Sequence, residues 1–314
     1  MNNSLKKHFF WKYAFGNNGI FSGDLDEAYL NIKSVLRYSY LFFFIIIFIE
    51  LPNVTEYQNI KMVEPIWPML IFQDVSPSIL ALVFQITSLV LLFLIFYLPK
   101  SHVLRVLFFV FFFLLIGLNN SFGKISHGFH FSLLLAFFLT LIPSEKVNNY
   151  KIKSILMFAT AQFFILMAYS LTGFWKLFWG VIQFFTEDVS LFSPLSFRNT
   201  LIYQFEHKGA TFIGSWILEH QTIGYIFYLT AVVIELFAIA IFFKANMQKV
   251  WGVLLIALHI GIELIVGVSS YGIIMTIGLL LVFSPFTRQT SFKETLLSLP
   301  IVSQIRWLVN KKTN

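Results

Sequence analysis

Ile79-Leu-Ala-Leu-Val-Phe-Gln-Ile-Thr-Ser-Leu-Val-Leu-Leu-Phe-Leu-Ile-Phe-Tyr-Leu98 runs for twenty residues without a charge. As a helix rising 1.5 Å per residue, such a stretch covers about 30 Å, the thickness of a bilayer's hydrocarbon core. Comparable apolar runs occur at 35–51, 103–118, 129–143, 154–173, 223–243, 250–267 and 272–285. Hydrophobic residues make up 58% of the chain and charged residues 12%, more apolar surface than a soluble domain of this length can hide. The expected fold is therefore all-α: a polytopic membrane helix bundle of about eight transmembrane helices.

Lysine and arginine orient the bundle, because short cytoplasmic loops carry the excess of positive charge. With the N-terminus inside, 17 of the 22 basic residues fall on the cytoplasmic side. They include Lys33, Arg37, Lys100, Arg105, Lys146, Lys151, Lys153, Lys244 and Lys249. The outer segments keep Lys61, Lys124, Lys176, Arg198 and Lys208. One missed span would reverse every later loop, so this imbalance supports the span count and puts both termini in the cytoplasm. Residues 1–30 read as a cytoplasmic or interfacial segment, without the apolar core and cleavage site of a signal peptide. Residues 31–286 read as the membrane domain. Residues 287–314 read as a basic tail, with an amphipathic helix over 296–309 suited to an anionic leaflet. The expected location is a membrane that the chain crosses several times.

Several function classes fall away. The chain has no cysteine, hence no disulfide, thiolate metal site or cysteine nucleophile. Serine hydrolase, P-loop and dinucleotide signatures are absent, as are selectivity-filter sequences and pore-lining rings of charge. The net charge of +7 is spread over span flanks and tails rather than interleaved with aromatics, so no nucleic-acid partner is expected. No metal site is expected either, because His259 and Glu263 do not form a His-x-x-x-His pair. The segment 174–222 carries Trp175, Trp179, Phe184, Phe185, Phe192, Phe197 and Trp216. So many large apolar side chains point to an interfacial or re-entrant segment on the outer side.

Lys176 stands in Tyr169-Ser-Leu-Thr-Gly-Phe-Trp-Lys176-Leu-Phe-Trp-Gly180, where the fifth span is expected to end. A lysine there either snorkels to the interface beside Trp175 and Trp179, or is held in the protein, where burial turns a solvated cation into a usable base. His127 and His130, at the outer mouth of the fourth span, are either hydrated loop histidines or proton partners of Lys176. His259 and Glu263 share one face of the seventh span at i and i+4, and Glu235 lies mid-way along the sixth. Charged groups at such depth usually face a bundle interior, so these three are expected to form an intramembrane polar cluster. The cluster either fixes helix packing or handles protons or a ligand.

Three stretches resemble the horizontally transferred transmembrane domain family, which includes vitamin K-dependent γ-glutamyl carboxylase. Ser34-Val-Leu-Arg37-Tyr is similar to the basic start of its first span. Tyr169-Ser-Leu-Thr-Gly173-Phe-Trp-Lys176-Leu177 is similar to the stretch carrying the carboxylase's catalytic lysine. Leu258-His259-Ile-Gly-Ile, followed by Phe283-Ser-Pro285, resembles the C-terminal membrane pair. The likeness implies a reduced, vitamin K-like quinone as cofactor, Lys176 as the base, and a ligand site near Tyr169, Gly173, Trp175 and Trp179. It also implies a catalytic histidine after an Asn-Asn pair. Here Asn119-Asn120 is followed by serine, so His127, or else His130, takes that place. With about thirty residues after the last span and no cysteine, this chain alone is not expected to be a complete protein-glutamate carboxylase.

Two functional readings follow from the resemblance. In the first, the chain is a membrane enzyme or enzyme relative holding a quinol or lipid-like ligand in an outer-facing pocket. In the second, it resembles the sporulation-delaying protein B type and is a non-catalytic scaffold, acting with a protein partner in maturing or exporting a secreted peptide. Membrane lipid is a partner in both, and the resemblance to the compact bacterial members implies a bacterial inner membrane as the location. A solute carrier relaying protons through Glu235, His259 and Glu263 is a third reading, weakened by the lack of internal repeats.

Overall fold

The computed structural model describes residues 25–49, 57, 60–123, 125 and 127–286, with Asn246 as backbone alone. The N-terminal stretch to residue 24, Glu50, Lys124 and everything from residue 287, including the expected amphipathic helix, lie outside the described residues.

Among the described residues the regular structure is helical throughout. In chain order the helices are α1 (Leu25–Ile49), α2 (Pro77–Tyr97), α3 (His102–Asn119), α4 (His130–Leu141) and α5 (Tyr150–Thr186). They continue with α6 (Pro194–Lys208), α7 (Phe212–Glu219), α8 (Gln221–Leu236), α9 (Ala238–Phe242), α10 (Ala245–Val266) and α11 (Tyr271–Ile277). A 3-10 turn, Trp67–Phe72, precedes α2, and a π turn, Gly278–Val282, extends α11.

All eight apolar runs have become helices, but not eight full-length ones. Five, α1, α2, α3, α5 and α10, are long and apolar enough to cross a membrane, as a multi-pass membrane protein requires. The pair α7 and α8 would add a sixth if taken as one span, although it bends by 108° at His220. The twelve residues of α4 reach only about 18 Å, well short of the hydrocarbon thickness.

The fifth helix also differs from expectation. Rather than ending near Gly173, α5 continues to Thr186, and its 37 residues make it about 55 Å long. Gly173 has an ordinary helical φ, and no proline follows to stop the helix. The expected outer segment 174–222 is thus the last turns of α5 followed by α6 and α7. Its aromatic side chains are largely exposed, with Phe185 at 79% and Phe212 at 90%. That suits an interfacial belt.

The described chain divides into two compact units, one of residues 25–161 and 271–279 and the other of residues 162–270 and 280–286. The first is built on phenylalanine. Phe43, Phe108 and Phe112 are almost wholly buried, with ring centroids 5.2–5.6 Å apart. One turn before Phe108, the buried Arg105 donates to the carbonyls of Leu139 and Ile142, both at 2.9 Å. These are carbonyls that the end of α4 leaves unpaired, and a guanidinium suits them in both charge and geometry.

Beside Arg105, Glu145 joins Lys33 at 2.6 Å and Lys100 at 2.7 Å. Its carboxyl is held at about 2, below the usual carboxylate range, chiefly by the hydrogen bonds from Lys100 and Lys33. A carboxyl with a depressed folded-state pKa contributes stability above its ordinary value near 4.5, and that contribution disappears as pH falls through about 2. The thermal stability difference between wild type and Glu145→Gln is therefore expected to be constant at neutral pH and to shrink between pH ~5 and ~2. A difference independent of acid would show that the two lysines do not hold this carboxylate.

The second unit packs α5 from Gln162 onward with α6 to α10. Thr211 links two of its helix ends: its hydroxyl accepts from the Gly214 amide at the start of α7 and lies 2.9 Å from the Leu264 and Ile265 carbonyls at the end of α10. There α10 stops at Gly267, whose φ of 72° is left-handed and favours glycine. Gln162 serves the π turn, its side-chain amide donating to the Leu280 carbonyl and to Ser284 Oγ at 2.9 Å.

Candidate functional site

The apolar run 223–243, expected as one continuous span, is broken. Helix α8 ends at Leu236, Phe237 adopts a non-helical turn and α9 resumes at Ala238. A break exposes backbone groups that cannot be left unpaired away from water. Ser170, on α5, supplies partners for them. Its hydroxyl accepts from the Ile239 amide at 2.8 Å and faces the Leu236 carbonyl at 2.9 Å and that of Glu235 at 3.3 Å. Trp251, on α10, donates its indole N–H to the Ile234 carbonyl at 3.1 Å. Ser170→Ala removes two of these connections at once, and is expected to cost about 1–3 kcal/mol in denaturant unfolding. A neutral result would mean water serves the break as well as the hydroxyl does.

The remaining residues of the stretch around Lys176 meet the same place. Tyr169, Gly173 and Lys176 rise one above another on α5, at helical spacing. Gly173 lets the two backbones touch, since a Cβ there would stand against the Leu236 nitrogen and Cα and the Glu235 carbonyl carbon. One turn on, Lys176 Nζ donates to both carboxylate oxygens of Glu235, at 2.9 and 2.6 Å. Glu235 is buried, with 6% of its side chain exposed, against 35% for Lys176. One turn back, the Tyr169 hydroxyl and His259 Nε2 are 2.6 Å apart. Two acid–base pairs thus line one stripe of α5, one formed with the broken helix at Glu235 and the other with α10 at His259.

Every candidate from the sequence can now be placed. Lys176, Tyr169, Gly173, Glu235 and His259 come together in the second unit. Glu263 follows His259 by one turn of α10, as its spacing requires, and has an interaction of its own. Trp175 and Trp179 are 57% and 44% exposed, with rings 5.7 Å apart, and stand among Phe174 and Phe178 as a projecting aromatic group. His127 and His130 belong to the first unit. Their Nδ1 atoms are 3.1 Å apart, a separation at which one donates to the other.

No family model matches this chain, and no curated protein or solved structure does. What the site can do must be read from its own atoms. Among the described residues no group of three or more histidines and carboxylates could hold a metal. Two of the site's polar groups are open to further hydrogen bonding. Lys176 is partly exposed beside a tryptophan pair, and His259 Nδ1 is buried without a hydrogen-bond partner. Ser170 and the helix break are the functional features that sequence reading missed. Their one signal was a serine directly after Tyr169 within an apolar run.

Proposed function

We propose that the chain is a membrane enzyme of the horizontally transferred transmembrane domain type, one that takes a proton from a quinol or similar lipid-like ligand at Lys176. The observation carrying this reading is the Lys176–Glu235 pair, one member buried and the other reaching outward. A bound quinol supplies ionisable hydroxyls on an apolar body. Its arrival displaces water from the exposed part of Lys176, and in a drier setting an ammonium–carboxylate pair becomes costly. Passing the proton from Nζ to the Glu235 carboxylate leaves two neutral groups, and the free amine can then accept a hydroxyl proton. His259, hydrogen-bonded to Tyr169, orients a second polar contact. Trp175 and Trp179 give the ring an apolar surface to lie on.

The experiment is native mass spectrometry with lipid extraction, comparing wild type with Lys176→Ala/Glu235→Gln. A quinone that co-purifies with wild type and is lost from the folded double variant supports the reading. A ligand retained in both rejects it. The exposure of Phe184, Phe185, Phe192, Phe212 and Trp216 favours a second reading, a scaffold that receives a secreted peptide, and a co-purified peptide would select it.

A further inference from the structure

The first unit contains a cleft with a volume of about 310 Å³, formed by α1, the end of α2, the start of α3 and the turn after α4. Four cations line it, Lys33, Arg37, Lys100 and Arg105, against one carboxylate, Glu145. Arg105 and Tyr40 also reach its wall from the interior, only 5% and 7% exposed. The two side chains face one another, with the Arg105 guanidinium beside the Tyr40 hydroxyl and its terminal nitrogens on the Leu139 and Ile142 carbonyls. Four cations against one carboxylate leave the cleft a surplus of positive charge, which suits an anion.

The rest of the wall narrows the chemistry. Leu36, Ile95 and Phe96 are apolar, and Phe96 is 52% exposed with the Arg37 guanidinium 5.1 Å above its ring. A phosphate can accept from arginine, lysine and tyrosine together, and an attached chain can lie along Phe96. Charge counting also assigns this end of the unit to the cytoplasmic side, where anionic lipids gather.

We infer that this cleft binds a phosphate group, with Arg105 and Tyr40 at its base, Lys33, Arg37 and Lys100 at its rim, and Glu145 as a built-in competitor for the same cations. Glu145 bridges Lys33 and Lys100 when no phosphate is present, and is also 3.3 Å from the Tyr29 hydroxyl. An arriving phosphate takes over those lysines. The site is independent of the Lys176 cluster and of the function proposed for it.

The test is titration of the full chain, in uncharged detergent, with dioleoyl phosphatidic acid, dioleoyl phosphatidylcholine and inorganic phosphate, followed by native mass spectrometry. One phosphatidic acid is expected to bind per chain, at least tenfold more tightly than phosphatidylcholine. Arg37→Gln and Tyr40→Phe, which keep the packing, should each weaken it severalfold. Glu145→Gln, which removes the competitor, should strengthen it. If inorganic phosphate binds as tightly, with the same response to the variants, the site stands and its ligand is a soluble phosphate. Lipid adducts that ignore all three substitutions, or a Glu145→Gln variant that binds more weakly, would overturn the assignment.

Discussion

Lys176→Ala is expected to lower unfolding free energy by about 3 kcal/mol, and adding Glu235→Gln to restore most of the loss. The argument rests on unequal burial. With 6% of its side chain exposed, Glu235 has no route to water once the lysine is gone, and an unpaired carboxylate is left inside. The reverse change is milder. In Glu235→Gln, Lys176 keeps a flexible stem, and its side chain already stands 35% exposed, so the ammonium can snorkel outward. The order of stability should be wild type first, the double variant and Glu235→Gln next, and Lys176→Ala last. Denaturant unfolding of the detergent-solubilised protein measures all four. Additive single effects would refute the pairing, because two residues in direct contact must couple. The order also bears on function: lost activity in Lys176→Ala is informative only when the double variant, equally inactive, remains folded.

Gly173→Leu should be as damaging, for a steric reason. The atoms its Cβ would meet belong to the backbone of Glu235 and Leu236, and backbone cannot swing aside as a side chain can. Overpacking of this kind costs about 1–3 kcal/mol, and the upper end is expected here. Pushing α5 away from the break should also part Lys176 from Glu235, so an amine-reactive label should modify Lys176 faster in the variant. Gly261 provides the control. A Cβ there meets nothing within 4 Å, so Gly261→Ala should be neutral or slightly stabilising. If the two glycines respond alike, the close approach at Gly173 does not matter.

Composition and hydropathy made the helices legible, because lipid forces every apolar run to satisfy its own backbone. Of the residues singled out, Lys176, Glu235, Tyr169 and His259 lie close together, whereas His127 and His130 belong to the other unit. The pairing of the first four was not legible. Reading span by span, Lys176 sat at an end and Glu235 in a middle, and Glu235 was expected to cluster with His259 and Glu263. Helix α5 runs past its expected end, and Gly173, the last residue of the apolar run, is a contact surface for α8 within it. The break after Leu236 was invisible because nothing between 223 and 243 encodes it. No proline interrupts that run, and the hydroxyl that stabilises the interruption belongs to Ser170, some 66 positions earlier.

That distance along the chain has a consequence for biogenesis. When residues 221–242 first enter the bilayer by themselves, an unbroken helix gives every interior amide a local acceptor, and it is the cheapest state available. The interruption becomes favourable only once α5 brings Ser170 alongside. Insertion and interruption are therefore expected as successive events, with the segment entering as a continuous helix and the break forming when α5 docks. The carboxylate beside the crack meets its lysine in that same late step, so the acid–base pair is assembled last.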